Sequence, residues 1–165
     1  MSDRTITDRL QPSLLDRLTD DEPEKRTESR DRRVIDIQRL REIVQRDLAW
    51  LLNTQNAETW IEPDLHPHAA RSVLNFGIGD LSGSFATGDQ ATMIRESIRQ
   101  AVEVFEPRLR RGTVEVELSS KLVDRGVVVT FDIRAEMWAH PIPMELYLRS
   151  ELDVTTGAVQ IERGI

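Results

Sequence analysis

The run GVVVTFDIRAEMWAH, residues 126–140, alternates apolar and polar side chains for longer than any other part of the chain. Val127, Val129, Phe131, Ile133, Ala135 and Met137 fall on one side, a period of two that reads as a half-buried strand. Its neighbours share the pattern. TVEVELSS (113–120) places Val114, Val116 and Leu118 together, PMELYLRSEL (143–152) does so with Met144, Leu146 and Leu148, and VTTGAVQI (154–161) reads as a tight turn and a last short strand.

Upstream of Gly112 the period is 3.6. RVIDIQRLREIVQRDLAWLLN predicts a helix from about Arg33 to Asn53, with Ile37, Leu40, Val44, Leu48 and Leu51 on its buried stripe. A second helix is expected from Asp89, read as its N-cap, to Phe105, and Pro107 lies just beyond its last turn. Its stripe is Ala91, Ile94, Ile98, Ala101, Val102 and Phe105. HPHAARSVLNFG, between the two, should hold a short helix ending at Asn75 to Gly77. Helices followed by consecutive strands define an α+β fold, with the helices packed on one face of a small antiparallel meander.

The chain has 165 residues, enough for one domain with an extra arm. It contains no cysteine, which excludes disulfides, thiolate metal sites and a cysteine nucleophile. Net charge is −7, from 29 acids against 22 bases, the reverse of what phosphate contacts require, so nucleic acid is not an expected partner. All but two of the bases, Lys25 and Lys121, are arginine, which suits planar ion pairs between proteins. A polar N-terminus without an apolar core predicts no signal peptide, and no run is long enough for a membrane span. A cytoplasmic protein, not inserted in a membrane, is expected.

Residues 1–33 differ from the remainder, which is assigned to a second unit, 34–165. About half of the first 33 are charged, and the apolar group is Ile6, Leu10, Leu14, Leu15 and Leu18. QPSLLDRLTDDEP carries a helix start at Pro12-Ser13 and a stop at Pro23. This helix is too short to stand alone. It is either a mobile tail or a docking peptide that folds against a partner through Leu14, Leu15 and Leu18.

Chemistry-bearing patterns are sparse. Gly77, Gly79 and Gly83 do not have dinucleotide spacing, and no lysine accompanies them, so SVLNFGIGDLSGSF (72–85) reads as irregular backbone that ends a helix and shapes a contact surface. His66 and His68 flank a proline and His140 lies far along the chain, with no further metal-spaced ligands. Ser82 and Ser84 lack a base. Glu103, Glu106, Glu115, Glu117, Asp132 and Glu136 supply carboxylates, but nothing marks two of them as sharing a cleft in the manner of a glycosidase. No cofactor, metal or small-molecule substrate is expected. FEPRLRRG places Glu106, Pro107 and Arg108 at a rigid corner between helix and strand. Their charges either tie the corner internally or bond to another chain.

RRVIDIQRLREIVQRDLAWLLNT, ARSVLNFGIGDLSG, FEPRL and the closing strands, in that order and spacing, resemble the phage-tail baseplate wedge family over essentially the whole chain. PSLLDRL is similar to the arm of its type VI secretion branch. Members are often labelled lysozyme-like, yet the family is understood to be structural. The rival reading is a peptidoglycan hydrolase using two carboxylates. The resemblance implies a subunit of a contractile injection machine that joins the wedge subunits TssF and TssG and offers a platform for the contractile sheath. It implies partner contacts at Glu106, Pro107 and Arg108, and the loop of Asn75, Phe76 and Gly77 is expected to shape another contact surface. One departure is Gly79, where the family often has proline. A sheet ending in short strands has an open edge, and the C-terminal region, Met144 to Ile161, is the expected place for a sheath segment to add.

Overall fold

Asp36 opens the first long helix: its side chain accepts a hydrogen bond from the Arg39 N–H at 2.7 Å and so caps the exposed donors of the first turn. The computed structural model describes residues 13–20, 23–25, 35–80, 88–118, 128–138, 144–153 and 156–163. They form α1 (Leu14–Leu18), α2 (Ile37–Leu52), α3 (Pro67–Ala70), α4 (Gly88–Phe105), β1 (Glu115–Leu118), β2 (Val128–Met137), β3 (Met144–Asp153) and β4 (Val159–Arg163). A 3₁₀ turn spans Val73–Asn75.

The four strands pair antiparallel in the order β1-β2-β3-β4. The expected meander is therefore the observed sheet. Alternation places Val129, Phe131, Ile133, Ala135 and Met137 of β2 and Leu146, Leu148 and Leu152 of β3 inside. Helices α2 and α4 cover that face, with α4 over β1 and α2 over β4. Leu40, Ile43, Val44, Leu48, Leu51 and Leu52 come from α2, and Ile94, Ile98, Ala101 and Val102 from α4. Ser150 is the one polar residue of β3 on this inner face, and its hydroxyl donates to the Phe131 carbonyl at 3.0 Å.

Three expectations need correction. α2 starts at Ile37 and not near Arg33, because Asp36 caps it; Ile37, in the first turn, remains 42% exposed and lies outside the core. α4 begins at Gly88, so Asp89 sits in its first turn instead of capping it. The single helix read in HPHAARSVLNFG is divided into α3 and the 3₁₀ turn, because Ser72 begins a new turn by accepting from Leu74 N–H at 3.2 Å. Val127, Ser82, Gly83, Ser84, His140, Ile6 and Leu10 lie outside the described residues.

The loop after Asn75 is pinned to the end of α2. Ile78 N–H donates to the Thr54 carbonyl and Asn56 N–H to the Ile78 carbonyl, each at 2.9 Å. This close approach requires Gly77. Its φ is +122°, and a Cβ there would lie 2.2 Å from the Thr54 carbonyl oxygen. Stiffness thus comes from the Thr54–Asn56 brace, without a proline at position 79. Gly77→Ala should lower stability by about 3 kcal/mol or more, since neither the backbone angle nor the space admits a side chain. Gly79→Ala, whose Cβ would meet only the flexible end of Glu58 at 3.4 Å, should be nearly neutral. Urea melts of both variants check this. Equal midpoints would show that the loop does not press on Thr54.

Candidate partner-binding corner and sheet edges

α4 ends where Glu106 N–H donates to the Val102 carbonyl at 3.0 Å. The Glu106 side chain then turns inward and is only 4% exposed. Pro107 fixes the next backbone angle, which brings Arg108 back over the carboxylate. Glu106 Oε1 accepts from Arg108 N at 3.0 Å and from its Nε at 2.6 Å, and Oε2 accepts from Nη2. A fork of this kind is the strongest form of charged hydrogen bond. Of the two roles open to Glu106 and Arg108, the internal tie is therefore present in the folded chain.

The tie extends into α2 and the arm. Arg108 Nη2 also donates to Asp47 Oδ2 at 2.8 Å, and Asp47 Oδ1 accepts from Arg46 Nε and Nη2 at 2.9 and 2.7 Å. Arg46 in turn grips Asp16 of α1, at 2.6 and 3.1 Å, and its guanidinium lies 4.8 Å from the Trp50 ring centroid. Five alternating charges thus run from α1 to the end of α4. The Arg46 hydrogen bonds hold the Asp16 carboxyl down at about 2 and, reciprocally, raise the Arg46 pKa. Burial works against the Arg108 charge, but its bonds to Glu106 and Asp47 more than offset this and its pKa is raised.

One atom of the chain is left over. Arg108 Nη1 is buried and has no acceptor among the described residues. Arg108 also lines a groove of about 440 Å³, with Leu15, Trp50, Phe76, Phe105 and Pro107. Phe76 packs edge-on against Phe105 there, with ring centroids 5.4 Å apart. The corner, Leu15 and Phe76 are hence brought together. Leu14 and Leu18 are exposed, and α1 buries none of its residues. Asn75 works inward: its amide donates to the Ala70 carbonyl and accepts from Ala57 N–H, both at 3.0 Å. With Gly77 it lines a separate cleft of about 450 Å³, where Glu58 and Asp64 stand exposed.

Four of the carboxylates read from the sequence are tied to arginines: Glu103 to Arg99, Asp132 to Arg149 and Glu136 to Arg110, each at 3.1 Å, and Glu117 to Arg134 at 3.7 Å. Glu106, the buried one, has both oxygens engaged, leaving neither to carry a proton to a leaving group. His66 and His68 are exposed, and no group of three potential metal ligands occurs among the described residues. No described helix is long and apolar enough to cross a membrane.

The two sheet edges differ. Asp153 N–H donates to the Ala158 carbonyl at 2.9 Å, so alternation along β4 turns the backbone groups of Val159 and Ile161 outward. α2 meets them. Asn53 accepts from Val159 N–H at 2.9 Å and donates to its carbonyl at 2.7 Å, and Gln45 Nε2 donates to the Ile161 carbonyl at 2.8 Å. Past the end of β4, Arg41 reaches the Glu145 carbonyl at 3.4 Å. On the other side, Arg110 N–H donates to Glu136 and Trp138 N–H to Arg108, both at 2.8 Å. That phase turns Glu115 and Glu117 towards β2 and the backbone groups of Val116 outward. No side chain among the described residues caps them. Among the described residues, α2 side chains cap the C-terminal edge expected to be open at both Val159 groups and the Ile161 carbonyl, whereas none caps the β1 edge at Val116. Asp16, Arg41, Gln45, Arg46, Asp47 and Asn53 escaped sequence reasoning because a polar helix face carries no mark of what it touches.

Glu106→Gln should destabilise the chain by about 3 kcal/mol in urea melts, because the Arg108 charge loses its buried partner; an unchanged midpoint would mean that the fork does not support the fold. Arm docking should depend on pH in one direction. With its bound pKa depressed, Asp16 favours the docked arm fully above its ordinary value of 3.8, and this contribution disappears as pH falls through about 2. Amide resonances of Leu14–Leu18, followed from pH 5 to 2, should shift together. Shifts that ignore pH, or that persist in Arg46→Ala, would contradict the pairing.

The family model described as baseplate wedge protein gp25 matches residues 38–142, from the first turn of α2 to the approach to β3. No curated protein and no solved structure matches the chain. The matched stretch contains α2, the pinned loop, α4, the Glu106–Arg108 corner and strands β1 and β2, and it accounts for well over half of the sequence. The chain belongs to the family of baseplate wedge protein gp25, whose role is that of a structural wedge component of a phage-tail-like baseplate.

Proposed function

We propose that this chain is the TssE-type baseplate subunit of a type VI secretion system. It joins the wedge subunits TssF and TssG in the cytoplasm and gives the contractile sheath a place to begin. The observation that carries the platform role is the β1 edge, where no side chain among the described residues meets the outward N–H and C=O groups of Val116, while α2 side chains meet Val159 and Ile161 on the other edge. An extended segment of the first sheath subunit adds there by main-chain hydrogen bonds. Glu115 and Glu117 stand exposed beside this edge, so a strand with arginine or lysine at alternate positions is favoured.

Wedge contacts fall to the corner. Arg108 keeps its internal fork, and the residue lines the groove with Trp50, Pro107 and Phe76, which form the pocket for an apolar side chain. Leu14 and Leu18, outward on α1, extend that surface. Arm and corner then act as one contact, since the Asp16–Arg46–Asp47–Arg108 chain joins them. The loop of Asn75, Phe76 and Gly77 contributes by holding this surface in shape.

In cells, Val116→Pro removes one outward donor at the β1 edge. It should leave wedge subunits bound to the tagged chain and stop sheath extension, as seen by imaging a fluorescent sheath. Trp50→Ala combined with Leu15→Ala should do the converse, weakening recovery of wedge subunits by about tenfold or more while the purified monomer stays folded. Normal sheaths with Val116→Pro would sink strand addition at β1. Turnover of peptidoglycan by the purified chain would favour the hydrolase reading instead.

A further inference from the structure

Arg41 and Gln45 lie four residues apart on α2, and Asn53, eight further on, is the residue that ends it. Each meets the outer edge of the β3–β4 pair. Asn53 is the most complete contact, because one carboxamide both accepts from and donates to Val159, as a facing residue of an added strand would. Gln45 takes the next outward carbonyl, Ile161, two residues along, and Arg41 covers Glu145 past the end of β4. None of these polar groups belongs to the buried stripe of α2, and none is used by the corner.

We propose that this stripe is a plug that makes the sheet one-ended, so that strands add at β1 and not at β4. The proposal rests on strand addition as the working mode of the sheet. Such a device has a purpose in a seed. A sheet open at both edges would recruit two extended segments, or pair with a second copy of this chain through β4, and the direction of growth would be lost. The apolar side chains along β4, Val159 buried and Ile161 partly so, would otherwise give an unplugged edge a ready template. A helix already fixed by the core supplies the plug without a separate element. The occupant it excludes most directly is the β4 edge of another copy.

The test uses the full chain alone, so its outcome is separate from whether a sheath strand adds at β1. In Asn53→Ala/Gln45→Ala, Val159 N–H should lose its protection from exchange in dilute solution. Sedimentation should then show self-association at concentrations about tenfold or more below those needed by the parent chain. Adding Ile161→Pro, which removes an outward donor on β4, should reverse this, whereas adding Val116→Pro should not. Should the double variant fail to fold, Asn53→Asp keeps the acceptor for Val159 N–H and loses only the donor, and a smaller shift in the same direction is expected. The proposal is overturned if a folded variant exposes Val159 N–H and yet associates no more than the parent, or if association is blocked by Val116→Pro.

Discussion

A carboxylate almost wholly out of water, that of Glu106, sets the terms for the rest of this molecule. An unpaired charge at that depth is costly enough to unfold a domain of marginal stability. Its partner cannot come from a flexible distance. Pro107 removes the freedom of the intervening backbone, so Arg108 returns to the acid it follows. From that fork the chain leaves α4 at one angle, pairs Leu109 with Met137 and enters β1 in register with β2. The same guanidinium reaches Asp47 on α2, so one ion pair sets the helix end, the first strand and the second helix against one another.

α2 has three separate tasks on three of its faces. Leu40, Val44, Leu48 and Leu51 fill the core, Arg46, Asp47 and Trp50 face the arm and corner, and Arg41, Gln45 and Asn53 lie on the sheet edge. Packing on the first face holds the other two in place, since a buried stripe of this size fixes helix rotation. Contact surfaces built on such an element are stiff before any partner arrives. That suits a subunit whose work is to position other chains, where ordering on binding would weaken each contact.

The alternating runs made the sheet legible: each strand of the meander was readable from its own residues, as was the turn at Gly157. Helix stripes were readable for the same reason, since burial imposes a period on apolar residues. Boundaries were less so. Ile37 fits the stripe but sits in the first turn, beyond the reach of the core, and Asp36 decides the start by a single hydrogen bond. The corner was visible as Glu-Pro-Arg, but its inward direction was not, because a charged residue buried with its partner has the same letters as one in solvent. The capped edge was wholly hidden. Asn53 and Val159 are 106 positions apart, and nothing in either residue announces the other.

These features converge on a structural subunit with a charge-braced corner and, among the described residues, one sheet edge met by α2 side chains and one, β1, that none meets. Amide exchange of the free chain, compared with the same chain in baseplates isolated from cells, tests that account most directly. Protection should rise at Val116 and around Arg108, with Val159 equally protected in both states because Asn53 already holds it. New protection confined to β4, with Val116 exchanging as freely in the assembly as alone, would contradict the account.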